Sequence, residues 1–193
     1  MKFLKSIKNG FLKIFGDIKI FKYPFFLVYD PDDYLITGEC IRDIVDKVRP
    51  GDLLLRRYVH YLDGWFIPGK YSHTGIYIGD GKVIHSVSEG VCYIDIYDFI
   101  KCDGIIILRP KSGQNEAIEK AKKFVEESTQ YDFDFKDDNE TLYCHELAAL
   151  CYKNLKIEKL VPSLFYGLIK SKTKRYLADS FLTSPDFSII KEY

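Results

Sequence analysis

Tyr71 to Val87 reads YSHTGIYIGDGKVIHSV, and two of the chain's four histidines, His73 and His85, stand in it on either side of a Gly-Asp-Gly turn. Apolar residues flanking a glycine-rich centre predict a β-hairpin. If Gly79, Asp80 and Gly81 form a three-residue loop, Ile78 faces Lys82, Tyr77 faces Val83 and Gly75 faces His85. Side chains alternate along a strand, so His73 and His85 then share a face, offset diagonally, with β-carbons roughly 5–8 Å apart. Gly75, opposite His85, leaves room for that ring to lean toward His73. A two-residue Asp-Gly loop instead shifts the pairing by one, puts His85 opposite Ile76 and sends the rings to opposite faces. The three-residue reading also groups Ile76 and Ile78 with Ile84.

Downstream, Leu142 to Tyr152 reads LYCHELAALCY. The spacing predicts a helix over 141–152, with Thr141 as N-cap and Cys144 in its first turn. Amide groups and the positive end of the macrodipole favour thiolate there, and a nearby imidazolium would favour it further. Leu147, Ala148 and Cys151 share the face of Cys144 and are expected to bury against the sheet, turning the thiol toward the hairpin. A cysteine, a histidine base and a second histidine orienting that base make a nucleophilic triad of Cys144, His73 and His85. The plainer reading makes the cysteine a core residue and the histidines satisfied polar groups. Zinc is a third reading, since two histidines and a cysteine are legitimate ligands. Its fourth ligand would have to come from His60, His145 or a carboxylate, and no ligand-pair spacing supports one, so neither metal nor cofactor is expected.

The rest of the chain sets bounds. At 193 residues and 47% hydrophobic content it can bury a full core. Lys plus Arg and Asp plus Glu both number 28, so charge argues for no nucleic-acid partner. Five widely spaced cysteines without a CxxC pair read as reduced thiols. With no apolar run long enough to span a bilayer, and Lys5, Lys8 and Lys13 interrupting any signal-peptide core, the expected location is cytoplasmic, with peripheral membrane contact as an addition. That addition rests on residues 1–22. Phe3, Leu4, Ile7, Phe11, Ile14, Phe15 and Ile18 fall at helical spacing, with Lys2, Lys5, Lys8, Lys13, Lys19 and Lys22 mostly off the stripe. Such a basic amphipathic helix packs either on the protein's own core or on an anionic membrane.

Thr37 is placed as N-cap of a helix carrying Ile41, Ile44, Val45 and Val48, stopped by Pro50-Gly51. Strands follow over 52–57, 91–94 and 105–108, with a short helix from Tyr97. Asn115 to Glu127 is helical by its spacing, and Phe187 to Ile190 returns as an edge strand. The division expected is an N-terminal extension over 1–48 and a catalytic domain over 49–193.

GDLLLRR, YSHTGIYIGDGKVIH, QYDFDF and YCHEL, in that order, resemble the circularly permuted papain-like cysteine hydrolases of the NlpC superfamily, the YiiX/YebB-like group. There the histidine-bearing sheet precedes the cysteine-bearing helix. LTSPDFSII is similar to that group's closing segment, so the resemblance runs from about Pro50 to Tyr193. It implies an α+β papain-like fold, a small antiparallel sheet or barrel packed against the cysteine helix. It also implies Cys144 as nucleophile, His73 as general base and His85 as the orienting residue, where many of the group carry glutamate or another polar group. The hairpin is similar, too, to that of lecithin:retinol acyltransferase-like enzymes, which handle lipid acyl chains. The implied activity is cleavage of an amide or ester through a thioester, on a small-molecule, peptide or lipid-amide substrate. Acyl transfer with the same triad and a binding module without turnover are the alternatives. Tyr71 is a candidate second oxyanion donor; Tyr131 and Asp132 are read as lining the cleft or anchoring their loop.

Overall fold

Two runs, Leu53-Leu54-Leu55 and Ile105 to Leu108, are apolar without alternation, which requires a strand covered on both faces. The computed structural model describes residues 7–8, 10–11, 14, 18–21, 26–29, 34–61, 67, 69–135, 140–164, 169–171 and 173–193, and meets that requirement. Helix α1 (Gly38–Lys47) leads into β3 (Leu53–Arg57), which follows an N-terminal pair, β1 (Ile18–Phe21) and β2 (Phe26–Tyr29). Then come β4 (His73–Gly79), β5 (Lys82–Val87), β6 (Gly90–Asp95), α2 (Ile96–Phe99), β7 (Gly104–Pro110), α3 (Gln114–Glu126) and α4 (Cys144–Cys151). The short strands β8 (Ser163–Leu164) and β9 (Ile169–Lys170), helix α5 (Ala178–Leu182) and β10 (Phe187–Glu192) complete the order.

Six strands form one antiparallel sheet in the order β10-β7-β3-β4-β5-β6, with β10 at the edge as expected. Leu53, Leu55, Ile76, Ile84, Ile106 and Leu108 face a core shared with Leu147, Ala148 and Phe181 of α4 and α5. Leu54, Val83, Ile105 and Ile107 face a second core with Ile44 of α1 and Ile96 and Phe99 of α2. Fold class is therefore α+β, an antiparallel sheet with the cysteine helix packed on it. Asp52, 1% exposed, holds Arg109 in two bonds of 2.8 and 2.7 Å and accepts the Arg49 amide at 2.8 Å, so the turn after α1 is fixed to β7.

Thr37 occupies the N-cap of α1, but its hydroxyl makes no capping bond. Thr141 does not cap α4: it bridges to Gln130, the cap is Tyr143, and the helix opens on Cys144 itself. At the N-terminus, residues 7, 8, 10, 11 and 14 are helical, whereas Ile18, expected on the same stripe, opens β1. Phe3, Leu4, Phe15 and the lysines at 2, 5, 13 and 22 lie outside the described residues. Ile7, Phe11 and Ile14 are 55%, 63% and 57% exposed, so this part of the stripe is not packed on the core. Lys8 pairs with Asp134, and the Lys19 ammonium lies 5.6 Å over the Tyr61 ring. All five cysteines are free, and no helix among the described residues is long and apolar enough to cross a membrane.

Candidate active site

The hairpin reaches the expected pairing by a different route. Its loop has two residues, Asp80 and Gly81, both with positive φ (50° and 69°), as a primed hairpin turn demands. Alone this loop would place His85 opposite Ile76. A bulge between Tyr77 and Gly79, with Gly79 at φ 96°, takes up one residue, and beyond it Tyr77 pairs with Val83, Ile76 with Ile84 and Gly75 with His85. His73 and His85 thus share a face, with His73 Nε2 3.0 Å from His85 Nδ1 and their rings edge to face at 5.2 Å. The space over Gly75 is not open. A β-carbon there would come within 2.5 Å of the Phe99 ring, which packs 5.9 Å from His73 and 5.8 Å from His85 and wedges both imidazoles in place.

Cys144 comes to this strand from the other side. Ser86 donates to the Leu142 carbonyl at 2.6 Å, the Leu142 amide donates to Gln130 at 2.9 Å, and His145 Nδ1 pairs with the Thr74 hydroxyl. Together these seat the start of α4 on β4 and β5. The Cys144 sulfur lies 4.0 Å from the Ser72 carbonyl and receives the Thr74 backbone N–H, so the two residues flanking His73 bracket the thiol.

Burial governs the charges. It pushes the Cys144 thiol up to about 12, against the opposing pull of the Thr74, His145 and Cys144 amides and the Arg56 guanidinium. It likewise takes His73 well below the ordinary histidine range and His85 down to about 3, each helped by the Arg56 guanidinium. The resting site is a neutral thiol beside neutral imidazoles, not the thiolate that a helix N-terminus alone predicts. Arg56 is held in position by its bond to the Phe99 carbonyl (3.0 Å) and by the faces of Phe99 (4.6 Å) and Tyr58 (5.1 Å).

The thiol opens into a pocket lined by Ile67, Ser72, Tyr131, Phe135, Tyr143, His145, Pro162, Arg175, Tyr176 and Leu177. Tyr131 is there as expected. Asp132 is not: it is 3% exposed and its carboxylate accepts the Asp134 amide at 2.8 Å, which anchors the loop. Tyr71 is not there either, because β4 begins at His73 and the alternation that would align the two does not extend to it. Its ring, 2% exposed, turns into the core on the α4 side, and its hydroxyl donates to Glu192 at 2.9 Å.

A family profile described as "Permuted papain-like amidase enzyme, YaeF/YiiX, C92 family" matches residues 47–191. The chain belongs to this family. Among solved structures, the chain is similar to the metalloprotein YiiX from Escherichia coli O157:H7, with a TM-score of 0.61 and 18% identity over 76% of this chain and 98% of that one. That likeness is one of fold. Comparison with curated proteins gave no significant match.

In this member of the family, Phe99, Arg56 and His145 escape sequence reasoning. Phe99 acts across three strands, and Arg56 matters only because β3 pairs with β4, Arg56 opposite His73. His145 had a signal, its adjacency to Cys144, but about 100° of helix rotation separates neighbours and said only where it does not point. Its Nε2 is buried with no hydrogen-bond partner among the described residues.

Proposed function

We propose that the chain is a cysteine hydrolase, a peptidase or amidase in the broad sense, that cleaves an amide or ester with Cys144 as nucleophile, His73 as base and His85 as orienting residue. The observation that carries this reading is the placement of the Cys144 sulfur between the Ser72 carbonyl and Thr74 amide, on either side of a histidine whose Nε2 already meets His85. With Nε2–H given to His85 Nδ1, His73 keeps Nδ1 for the thiol proton. Because both groups rest neutral, proton transfer to His73 accompanies attack of sulfur on the carbonyl carbon. The oxyanion meets the Cys144 N–H at the start of α4. His73 then protonates the leaving nitrogen or oxygen as its bond to carbon breaks, leaving a thioester. Water, deprotonated by His73, adds to the thioester and expels the Cys144 thiolate.

Release of 4-nitrophenol from a short-chain 4-nitrophenyl ester tests the assignment. Cys144→Ala and His73→Ala should each abolish turnover, and His85→Ala should cost about 10²-fold with His85→Gln restoring most of it. Equal rates in all four variants would overturn it. An amine in place of water gives acyl transfer, detected as an amide product when amine is added.

The YiiX structure is titled that of a metalloprotein. Here no group of three or more His, Cys, Asp or Glu side chains sits together as ligands among the described residues, so no step is routed through a metal. Tyr131, Phe135, Tyr176 and Leu177 in the pocket suit an apolar portion of the substrate. The exposed Ile7, Phe11 and Ile14 with the surrounding lysines support peripheral contact with an anionic membrane, which together with the reduced thiols fits a cytoplasmic enzyme working at a lipid surface.

A further inference from the structure

Among the described residues lining the Cys144 pocket, Arg175 alone carries a full charge. Its backbone is fixed, exchanging two 2.8 Å bonds with Leu160, and its guanidinium stacks 4.8 Å over the Phe135 ring. Nε is buried and has no hydrogen-bond partner, and no carboxylate stands within ion-pair distance of this arginine among the described residues. The other cation–π contact at this rim, Lys159 5.0 Å over Tyr176, is also positive. Leaving a guanidinium beside apolar walls without a counter-charge is unfavourable, and its planar fork matches a carboxylate or phosphate in two bonds. Around the neighbouring Tyr143, burial and the Glu146 carboxylate push the phenol up, and the Tyr176 amide and, least, the Arg175 charge oppose that shift.

We infer that the pocket takes an anionic amphiphile, an acyl compound whose carboxylate or phosphate is held by Arg175 while its apolar portion lies against Phe135, Tyr131 and Tyr176. This rests on the reading of the Cys144 pocket as the substrate site, and it adds the substrate class. An amide of an amino acid with a free carboxylate, or an acylated phosphate ester, has that chemistry; a neutral ester or amide lacks it. Arg175 is then a specificity residue, and the pairing of charge with apolar surface accounts for an arginine in a pocket otherwise lined mostly by aromatic and aliphatic side chains.

Iodoacetate and iodoacetamide differ in little but charge, so the ratio of their alkylation rates at a given thiol reports a neighbouring cation without requiring turnover. The ratio is read by mass spectrometry at Cys144, with Cys40 and Cys92 as references, at pH 9. It should be highest at Cys144 and fall about tenfold in Arg175→Met, which keeps the stem over Phe135, and recover in Arg175→Lys. Octanoate and octyl phosphate should each protect Cys144 from iodoacetamide where octanol does not, and the one acting at lower concentration identifies the anion. A ratio at Cys144 no higher than at Cys92, no change on Arg175→Met, or equal protection by octanol would overturn the inference. A ratio that falls in Arg175→Met while mono-4-nitrophenyl suberate, an ester with a free carboxylate, is not turned over would sustain the anion site and reject hydrolysis.

Discussion

Thr74 joins the two halves of the site. Its amide reaches the Cys144 sulfur and its hydroxyl meets His145 Nδ1, so one residue couples the strand carrying His73 to the helix carrying Cys144. Replacing His145 by Ala strands the Thr74 hydroxyl, which is 1% exposed, and should cost about 1–3 kcal/mol of stability. Turnover should fall as well, because the tether places the thiol and His145 itself lines the pocket. Thr74→Val combined with His145→Ala should cost less than the sum of the two single changes. Additive losses in urea unfolding would show that the pair is not coupled. The juxtaposition of His73 with His85 and the place of Cys144 at the start of a helix were legible in the sequence because periodicity places them. Tyr71 was misread for a related reason: two residues along the chain is one face only where the strand exists, and β4 starts at His73.

At the level of elements, the hairpin shows how a right pairing can hide a wrong turn. A three-residue loop and a two-residue loop with one bulged residue give the same partners past Tyr77, and nothing in Gly-Asp-Gly distinguishes them. Both cores were legible from the unbroken apolar runs of β3 and β7. The start of α4 was not, since a threonine three residues upstream is a good cap by composition, and tertiary pairing with Gln130 took Thr141 instead. The N-terminal helical segment is the element whose partner is proposed to be a membrane. Deleting residues 1–20 should abolish sedimentation with phosphatidylserine vesicles while leaving soluble-ester turnover within twofold. Unchanged sedimentation would remove the membrane role.

For the molecule as a whole, two buried histidines, His85 and His145, and the half-buried His73 make folding sensitive to acid. His85 and His145 are held down to about 3 by burial, while in the unfolded chain each takes a proton below about pH 6.5. Between those limits the unfolded state binds more protons, so stability falls as pH falls, by about 1.4 kcal/mol per pH unit for each histidine. His73 adds in the same direction. The urea midpoint should therefore be level above about pH 7 and drop between 6.5 and 5, where few carboxylates titrate, and His145→Gln should flatten that slope. A midpoint independent of pH over this range would show that these rings are not buried neutral.

The account depends most on sulfur accepting an acyl group with the help of His73. Incubating the protein with 4-nitrophenyl octanoate, quenching in acid and mapping the acyl mass shift by peptide should find it on Cys144 within the first turnover, with His73→Ala losing it and Cys40, Cys92, Cys102 and Cys151 unmodified. Acyl groups spread evenly over the exposed thiols, or a Cys144 adduct forming at the same rate in His73→Ala, would contradict it.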